Sequence, residues 1–335
     1  MKRILFLLIF TLLASGSLHA QYSMDVLGGR FEMRTLDMPD DYDGKVITTL
    51  IRREANKPSD KAILYIHGYN DYFFQSSLAK TFNDSCFNFY AVDLRKYGRS
   101  LLASQTPFQV HDLKEYFADI DTALHIMKEE GNKEIILMGH STGGLISALY
   151  CEEYRNDLPV KGLILNSPFL DMNLNKFQEK ILIPIVSFTG IFTKNMKIKQ
   201  GKSTAYGESL LADKHGEWIY DTNKKFLQSR PLTTGWIRAI HRGQKKIHRG
   251  LDIPCPILVL FSDHSVYGDK WTPEHQNGDA VLDVKDIKKY GINLGKSVTE
   301  VAIKDGMHDL ILSKKSAREA TYNAIFQWLD KTGLD

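Results

Sequence analysis

A serine flanked by small residues is the first point in this chain at which side chains could do chemistry. The chain carries Gly139-His140-Ser141-Thr142-Gly143-Gly144 between a short apolar run and a helix-like segment at 145–155. A G-x-S-x-G sequence between a buried strand and a helix is typical of a nucleophile elbow, whose tight turn demands small neighbours. The turn lifts the hydroxyl clear of the sheet, within reach of a base and a substrate. The pattern therefore predicts Ser141 as a nucleophile.

A serine hydroxyl is a poor nucleophile until a neighbouring base takes its proton. With an elbow of this kind, the partners follow along the chain in the order acid, then histidine, and the histidine comes after the last core strand. His308 lies directly after the apolar segment 298–303, which is predicted to be that strand. His67 and His140 lie inside turns and are interpreted as structural. The chain order therefore predicts His308 as the general base.

The acid is expected on the loop that follows the strand ending near Phe261. Four aspartates lie along it, namely Asp263, Asp269, Asp279 and Asp283. Asp263 is only two residues past the strand, which leaves little chain to turn its carboxylate towards His308. Asp279 precedes an apolar turn that would pin the loop to the core. We favour Asp279 over Asp263, and either could instead be an ordinary loop carboxylate.

The tetrahedral intermediate of acyl transfer needs two backbone N–H groups directed at its oxygen. The residue after the nucleophile, Thr142, supplies one of them. The second is expected in the loop after the strand at 62–66, which begins His67-Gly68-Tyr69. Gly68 permits the required backbone geometry, so the N–H of Tyr69 is the candidate. The sequence thus predicts an oxyanion hole from Tyr69 and Thr142.

The elements that must position these residues alternate along the chain. Apolar strand-like segments at 62–66, 87–92, 135–138, 160–165, 256–261 and 298–303 are separated by helix-like ones. Strands that are apolar throughout must be covered on both faces. The pattern predicts an α/β fold with a mostly parallel central sheet and helices on both sides.

The alternation of strand-like and helix-like segments is interrupted once, which suggests a core with an inserted segment. We predict a core at 21–170 and 251–335 and a helical lid inserted at 171–250, over the strand ends where such sheets bind ligands. Part of the apolar run at 181–192 is expected to line an acyl pocket, although a purely structural helical hairpin is the alternative. Residues 1–20 have the basic start and short apolar core of a signal peptide, so we expect export to a periplasm or the cell exterior.

Composition excludes several classes of partner. Without Lys2 and Arg3 the charge balance is 41 basic to 40 acidic residues, which argues against a nucleic-acid partner. The basic run at 241–249 is interpreted as a solvated helix face, with contact to a membrane surface as the alternative. No zinc, calcium or nucleotide motif occurs, so no metal or cofactor is expected. The three cysteines do not suggest a disulfide framework.

The chain resembles α/β-hydrolases of the lysophospholipase and monoacylglycerol lipase type, a serine aminopeptidase-type family. The resemblance depends on His67-Gly68, the elbow, Gly306-Met307-His308-Asp309 and a D-x-R-x-x-G-x-S run at 93–100. It implies an α/β-hydrolase fold with an inserted lid, and the same nucleophile, base and oxyanion hole. It places the acid on the loop after the strand ending at Phe261. The family's usual acid follows within a few residues, whereas here the loop 266–278 resembles an insertion before Asp279.

These observations predict an exported serine hydrolase that cleaves carboxylic esters through an acyl-serine intermediate. A small-molecule ester is the expected substrate, and an ester with one acyl chain and a polar head is one candidate. Amide hydrolysis or acyl transfer by the same three residues is the first alternative, since one triad serves several chemistries. A binding protein without a productive triad is the second.

Overall fold

Apolar residues fill both faces of the central strands. In the strand Lys61–Ile66, Leu64 and Ile66 belong to one buried cluster, whereas Ile63 and Tyr65 belong to another. Since successive strand residues point to opposite faces, both faces of the sheet need a covering layer. The structure is a computed structural model that describes residues 21–175 and 177–335. The predicted signal peptide at 1–20 lies outside the described residues.

Nine of the strands in the described part of the chain form one sheet, and the other two pair as a short ribbon. The sheet order is β1-β2-β3-β5-β4-β6-β7-β10-β11, with β8 beside β9 in the ribbon. Their bounds are β1 Ser23–Met24, β2 Glu32–Asp41, β3 Gly44–Arg53, β4 Lys61–Ile66, β5 Asn88–Asp93, β6 Glu134–His140, β7 Gly162–Asn166, β8 Lys197–Ile198, β9 Leu232–Thr233, β10 Ile257–Ser262 and β11 Val298–Ile303.

The strands from β5 to β11 in this sheet order run parallel, and β1, β2 and β3 add an antiparallel edge. Parallel strands bring their carboxyl ends to one edge of the sheet, and in open α/β sheets that edge binds ligands. The loops after β4, β6, β10 and β11 are those predicted to carry the site. The predicted mostly parallel sheet is confirmed.

Helices cover both faces of this sheet. Residues of α1 and α8 pack in one buried cluster, and residues of α2, α3, α6 and α7 pack in the other. The helix bounds are α1 Ser76–Asp84, α2 Glu115–Glu129, α3 Thr142–Glu153, α4 Ile183–Thr189, α5 Ala205–Leu210, α6 Thr234–Ile247, α7 Val284–Gly291 and α8 Lys315–Thr332. Short 3₁₀ turns occur at Gly98–Ser100, Pro273–Gln276 and Leu310–Leu312, and a π-helical turn at Gln178–Leu182 precedes α4.

The chain between β7 and β10 carries α4, α5, α6 and the β8–β9 ribbon. α6 places Trp236, Ile240 and Ile247 in the core cluster, and α4 packs on α6. In the basic run 241–249, predicted as a solvated helix face, Arg242 and Lys245 are exposed on α6 and Arg242 pairs with Asp112 at 3.1 Å, whereas Gln244 and Ile247 are buried. The limits 171–250 for a lid stay a prediction. Among the described helices, none combines the length and the apolarity that a membrane span needs.

Candidate active site

Ser141 occupies the single residue between β6 and α3. Its backbone has φ 53° and ψ −117°, a conformation that non-glycine residues rarely adopt and that costs free energy. Neighbouring backbone holds it there: the Ser141 N–H donates to the carbonyl of Asn166 at 3.0 Å, and the Ser141 carbonyl accepts from Phe169 N–H at 3.0 Å. This is the sharp strand-to-helix turn that the sequence predicts.

The small residues around Ser141 are required by contact with backbone. A Cβ atom on Gly143 would collide with the carbonyl oxygens of Ile66 and His67, at the end of β4. A Cβ atom on Gly139 would meet the backbone of Gly143 across the turn. Because backbone on both sides is fixed by the sheet, neither clash is relieved by a side-chain rotation. The elbow therefore depends on glycine at both positions.

Replacing Gly143 with alanine should lower the free energy of unfolding by about 3 kcal/mol, because the new methyl group overpacks a fixed backbone. Gly201 is the matched control, since its added Cβ meets nothing within 4 Å and its φ is not positive. We expect Gly201→Ala to change stability by less than about 0.5 kcal/mol. Urea unfolding followed by circular dichroism measures both. Equal shifts in the two variants would contradict the packing argument.

His308 joins Ser141 to Asp279 in one chain of hydrogen bonds. His308 Nε2 lies 3.0 Å from Ser141 Oγ, and His308 Nδ1 lies 2.9 Å from Asp279 Oδ2. A carboxylate only accepts, so Nδ1 carries the proton and Nε2 is left to accept the serine proton. His308 is 3 % exposed and Asp279 is 0 % exposed. The three predicted residues thus meet with the geometry that a general base and its orienting acid need.

The position of Asp279 is fixed by a local turn. Its Oδ1 accepts the backbone N–H groups of Val281 and Leu282, both at 2.8 Å, which leaves Oδ2 directed at His308. Backbone bonds to His264 and Val266 tie Asp279 to the chain beyond β10. These bonds hold the loop against the core, as predicted from the apolar turn that follows Asp279.

The other aspartates of this loop have different contacts. Asp263 accepts from the ring of His264 at 2.8 Å and from Asp305 N–H at 3.1 Å, and 37 % of its side chain is exposed. Asp283 caps the N-terminus of α7. The structure therefore places Asp279, and not Asp263, against the imidazole.

The loop after β4 runs directly beside the nucleophile. A Cβ atom on Gly68 would lie 3.1 Å from Ser141 Cβ. His67 holds this loop, since its Nε2 accepts from Leu94 N–H at 3.1 Å and its Nδ1 donates to the Gly68 carbonyl at 2.8 Å. Thr142 is the first residue of α3, where helical N–H groups have no partner within the helix. Tyr69 and Thr142 thus flank Ser141, and their role as oxyanion donors stays a prediction.

The D-x-R-x-x-G-x-S run builds the scaffold behind this loop. Asp93 Oδ2 accepts from Arg99 at 2.9 Å, and the same guanidinium reaches Asp25 at 2.7 Å. Arg95 pairs with the buried Asp119 at 2.7 Å. These ion pairs are buried and lie outside the cavity lining, in keeping with a structural role for the run.

Sequence reasoning missed a buried polar network on the other side of Ser141. His140, Asp71 and Asp309 bring a nitrogen and two carboxylate oxygens within 4.8 Å of one another. Lys225, from the segment between β7 and β10, pairs with Asp71 at 2.9 Å. Burial lowers the pKa of His140. Burial alone would raise the pKa of Asp309, but His140 and hydrogen bonds from Asn166 and Ile311 hold it below its ordinary value.

This network ties the loop after β4 to the segment between β7 and β10. Besides the Lys225–Asp71 pair, Asn70 exchanges two hydrogen bonds with the backbone of Phe226, at 2.7 and 3.0 Å. The Tyr69 hydroxyl donates to the Arg230 carbonyl at 3.1 Å. The predicted oxyanion loop is therefore held from outside the core by residues 225–230.

Replacing Lys225 with methionine should lower the free energy of unfolding by about 3–5 kcal/mol, because it leaves Asp71 buried without its partner charge. Lys224 gives a matched control, since its pair with Asp221 is partly exposed, at 27 % and 38 %. Lys224→Met should cost less than about 1 kcal/mol. Chemical denaturation of both variants provides the measurement. A Lys225→Met protein as stable as Lys224→Met would show that the pair does not hold the loop.

A cavity of about 300 Å³ opens beside Ser141 and His308. Aromatic residues Tyr69, Tyr206, Tyr220 and Phe226 contribute to its walls. The lining is Tyr69, Asn70, His140, Ser141, Ser203, Ala205, Tyr206, Gly207, Tyr220, Lys225, Phe226, Leu227, Ser229, Gly268, Ala280, Val281 and His308. The expectation that the apolar run at 181–192 lines an acyl pocket is wrong for this cavity, because none of that run's residues lies in the lining.

The sequence between residues 57 and 276 matches the family model described as serine aminopeptidase, S33. The match spans well over half of the chain. The chain belongs to the serine aminopeptidase S33 family. It is thus a serine hydrolase by family, and the predicted resemblance is confirmed. A comparison with curated protein sequences found no match.

Solved structures show the same fold. A monoglyceride lipase of Saccharomyces cerevisiae in complex with a substrate analogue has 16 % identity and a TM-score of 0.63, and the match covers 90 % of this chain and 96 % of the lipase. A Paleococcus ferrophilus monoacylglycerol lipase has 18 % identity and a TM-score of 0.62, over 84 % and 99 %. Est1E of Butyrivibrio proteoclasticus with ferulic acid has 16 % identity and a TM-score of 0.56, over 90 % and 100 %. This family member has the α/β-hydrolase fold.

Proposed function

We propose that this chain hydrolyses carboxylic esters through an acyl-serine intermediate. The observation that carries the proposal is the hydrogen-bonded chain from Ser141 Oγ through His308 to Asp279, opening onto a cavity. A hydroxyl hydrogen-bonded to a buried imidazole that a carboxylate orients is poised to act as a nucleophile.

In the proposed reaction His308 Nε2 takes the proton of Ser141 Oγ as the oxygen attacks the ester carbonyl carbon. The N–H groups of Tyr69 and Thr142 stabilise the negative oxygen of the tetrahedral intermediate. His308 then gives the proton to the departing alcohol, and the acyl group stays on Ser141. A water molecule, deprotonated by the same imidazole, releases the carboxylic acid and restores the serine. Asp279 stabilises the imidazolium formed at each stage.

The lining of the cavity favours an ester over an aminopeptidase substrate. An aminopeptidase binds a free α-ammonium group, and a cation of that kind needs a carboxylate partner when it is taken out of water. In the described part of the chain, no Asp or Glu lies in the cavity lining, and the ammonium group of Lys225, which does, is already paired with the buried Asp71. This charge distribution disfavours a cationic substrate and suits a neutral ester.

The cavity also suggests the shape of that ester. Its volume is at the lower end of the range for small-molecule sites, and its aromatic walls alternate with polar groups such as Asn70, Ser203 and Ser229. A substrate with one acyl chain and a compact polar head fits this mixed lining. Two structural neighbours were solved with a substrate analogue and with ferulic acid, which is compatible with an ester substrate. We also propose export, from the composition of residues 1–20.

The test compares p-nitrophenyl esters of increasing acyl length, monoacylglycerols and aminoacyl p-nitroanilides. We expect kcat/KM for the best ester to exceed that for the best anilide by at least about a hundredfold, since the anilide ammonium finds no carboxylate. Higher kcat/KM for anilides with a free amino group would favour the peptidase alternative. Product esters formed with added alcohols would favour transfer. A folded protein that no fluorophosphonate labels would support the binding alternative.

A further inference from the structure

The exposed apolar residues of this protein are concentrated in one short segment. Fifteen large apolar side chains are exposed in the described part of the chain, and nine of them lie between residues 174 and 196. They are Leu174, Phe177, Ile181, Leu182, Ile185, Phe188, Ile191, Phe192 and Met196. Single exposed apolar residues are ordinary on protein surfaces, but a contiguous group marks an interaction site. We call these nine residues the apolar face.

The central part of the apolar face lies on a helical stretch with its usual orientation reversed. Ile181 in the π-helical turn and Ile185 and Phe188 in α4 recur every three or four residues, which places them along one side of that stretch. That side is exposed. The buried side holds Ile183 and Ser187, and Gly190 lies against the backbone of Thr234 in α6. A helix in water normally buries its more apolar side, so the outward side needs a medium other than water.

The chain around the apolar face is mostly basic, and Glu179 is the single acidic residue in the sequence from 174 to 207. Residues 180–207 contain five lysines and no Asp or Glu. Lys180, Lys194, Lys197, Lys199 and Lys202 are all exposed, and no ion pair within the described ranges involves them. By contrast, Arg242 and Lys246 of the basic run on α6 pair with carboxylates. The lysines beside the apolar face are therefore available to an external anion.

We propose that the apolar face docks on an anionic lipid bilayer, with its apolar side chains among the acyl chains and the five lysines at the headgroups. Aromatic and aliphatic residues on one side of a helix, bordered by lysines, are the pattern of interfacial helices. Each lysine near an anionic leaflet adds attraction that salt screens. A second copy of the chain is a poorer occupant, because a symmetric contact would bring both sets of lysines together.

The apolar face is close in the chain to residues that line the cavity, which suggests what docking would achieve. Ser203, Ala205 and Tyr206 line the cavity beside Ser141 and follow Lys202 almost directly in the chain. Docking through residues 174–202 would therefore hold the cavity close to the lipid surface, where amphiphilic esters concentrate. Binding itself does not depend on the proposed ester chemistry, so the two proposals are tested separately.

The first experiment measures partition of the full-length chain to vesicles by sedimentation. All proteins carry Ser141→Ala, so that no lipid is hydrolysed. Vesicles of phosphatidylcholine alone are compared with vesicles that also contain phosphatidylglycerol. We expect stronger binding to the anionic vesicles and a loss of that preference at high salt. Phe188→Ser with Phe192→Ser should weaken partition by at least about tenfold. Ile219→Ser, at a side chain 88 % exposed elsewhere, should leave it unchanged.

A second set of variants separates charge from apolar insertion. Lys194→Gln, Lys197→Gln and Lys199→Gln together should lower binding to anionic vesicles by about tenfold and leave binding to phosphatidylcholine unaltered. Equal binding to both kinds of vesicle by the parent would overturn the proposal. So would an Ile219→Ser effect as large as that of the Phe188 and Phe192 pair. If the parent forms a dimer in solution and Phe192→Ser dissociates it, the apolar face is assigned to a second copy of the chain instead.

A local probe removes any contribution from residues 1–20. Cys86 is the exposed cysteine, and Cys151 and Cys255 are buried. In a Cys86→Ser background, an environment-sensitive fluorophore is attached at Phe192→Cys or, as the control, at Ile219→Cys. Emission should shift to the blue with anionic vesicles at position 192 alone. No shift there would overturn the proposal even if the protein binds vesicles elsewhere. Turnover of a short soluble ester by Phe188→Ser with Phe192→Ser, with Ser141 intact, reports separately on the catalytic proposal.

Discussion

Replacing Ser141 with alanine should lower ester kcat by about ten-thousandfold to a millionfold, because the acyl-enzyme route is lost and only binding and the oxyanion donors remain. The hydroxyl is the group that His308 accepts from at 3.0 Å, and its loss leaves the imidazole with nothing to deprotonate. Alanine fits the same positive φ as serine, so the elbow should persist. Turnover of a p-nitrophenyl ester under saturation gives the measurement.

Ser147 provides the matched control for this experiment. It lies in α3 and is buried, and its Oγ has no hydrogen-bond partner within the described residues. Ser147→Ala thus removes a buried hydroxyl close to the elbow without touching the cavity, and should change kcat by less than about threefold. Fluorophosphonate should label the parent and Ser147→Ala, but not Ser141→Ala. Equal turnover by the parent and Ser141→Ala would dismiss Ser141 as the nucleophile.

The parts of the site that could be predicted from sequence are those with strong local geometry. The elbow is visible because a tight turn leaves room only for glycine at 139 and 143, and the structure shows backbone where each Cβ would lie. Asp279 is visible because a carboxylate followed by an apolar turn can accept N–H groups from its own loop, as it does from Val281 and Leu282. His308 follows from chain order, since the parallel strands bring their carboxyl ends to one edge.

The bounds of some elements differ from the prediction for local reasons. The helix after the elbow is predicted at 145–155, but in the structure it begins at Thr142. Gly143 and Gly144 are poor helix formers, and their packing on Ile66 and Pro168 matters more than that propensity.

The sequence alone does not show which distant segments are in contact, or whether an apolar surface faces protein, water or lipid. Nothing near Lys225 indicates that it reaches Asp71, which lies 154 residues earlier. The period of the apolar run at 181–192 indicates one apolar side, but periodicity does not say whether that side faces protein, water or lipid. Part of the run is predicted to line an acyl pocket, but most of its apolar side chains lie on the surface, because α6 packs against the opposite side of α4.

Replacing Asp279 with asparagine should lower kcat by about ten-thousandfold while the protein stays folded. The N–H groups of Val281 and Leu282 donate to Oδ1, so the amide oxygen of the asparagine takes that position. Its NH₂ group then faces His308 and donates to Nδ1, which forces the imidazole proton onto Nε2. An Nε2 that carries a proton cannot accept one from Ser141. Activity is therefore lost because the imidazole has the wrong tautomer, and not because it has moved.

Asp263→Asn is the control that the loop itself supplies. Asp263 directly follows β10, but its carboxylate contacts His264 and Asp305 N–H, and it is partly exposed. Its replacement should change kcat by less than about threefold. Both variants are assayed with the same saturating ester, and near-ultraviolet circular dichroism checks that each keeps its tertiary packing. A large loss in Asp263→Asn together with an active Asp279→Asn would reassign the acid, because the two aspartates cannot both orient His308 from the positions they occupy.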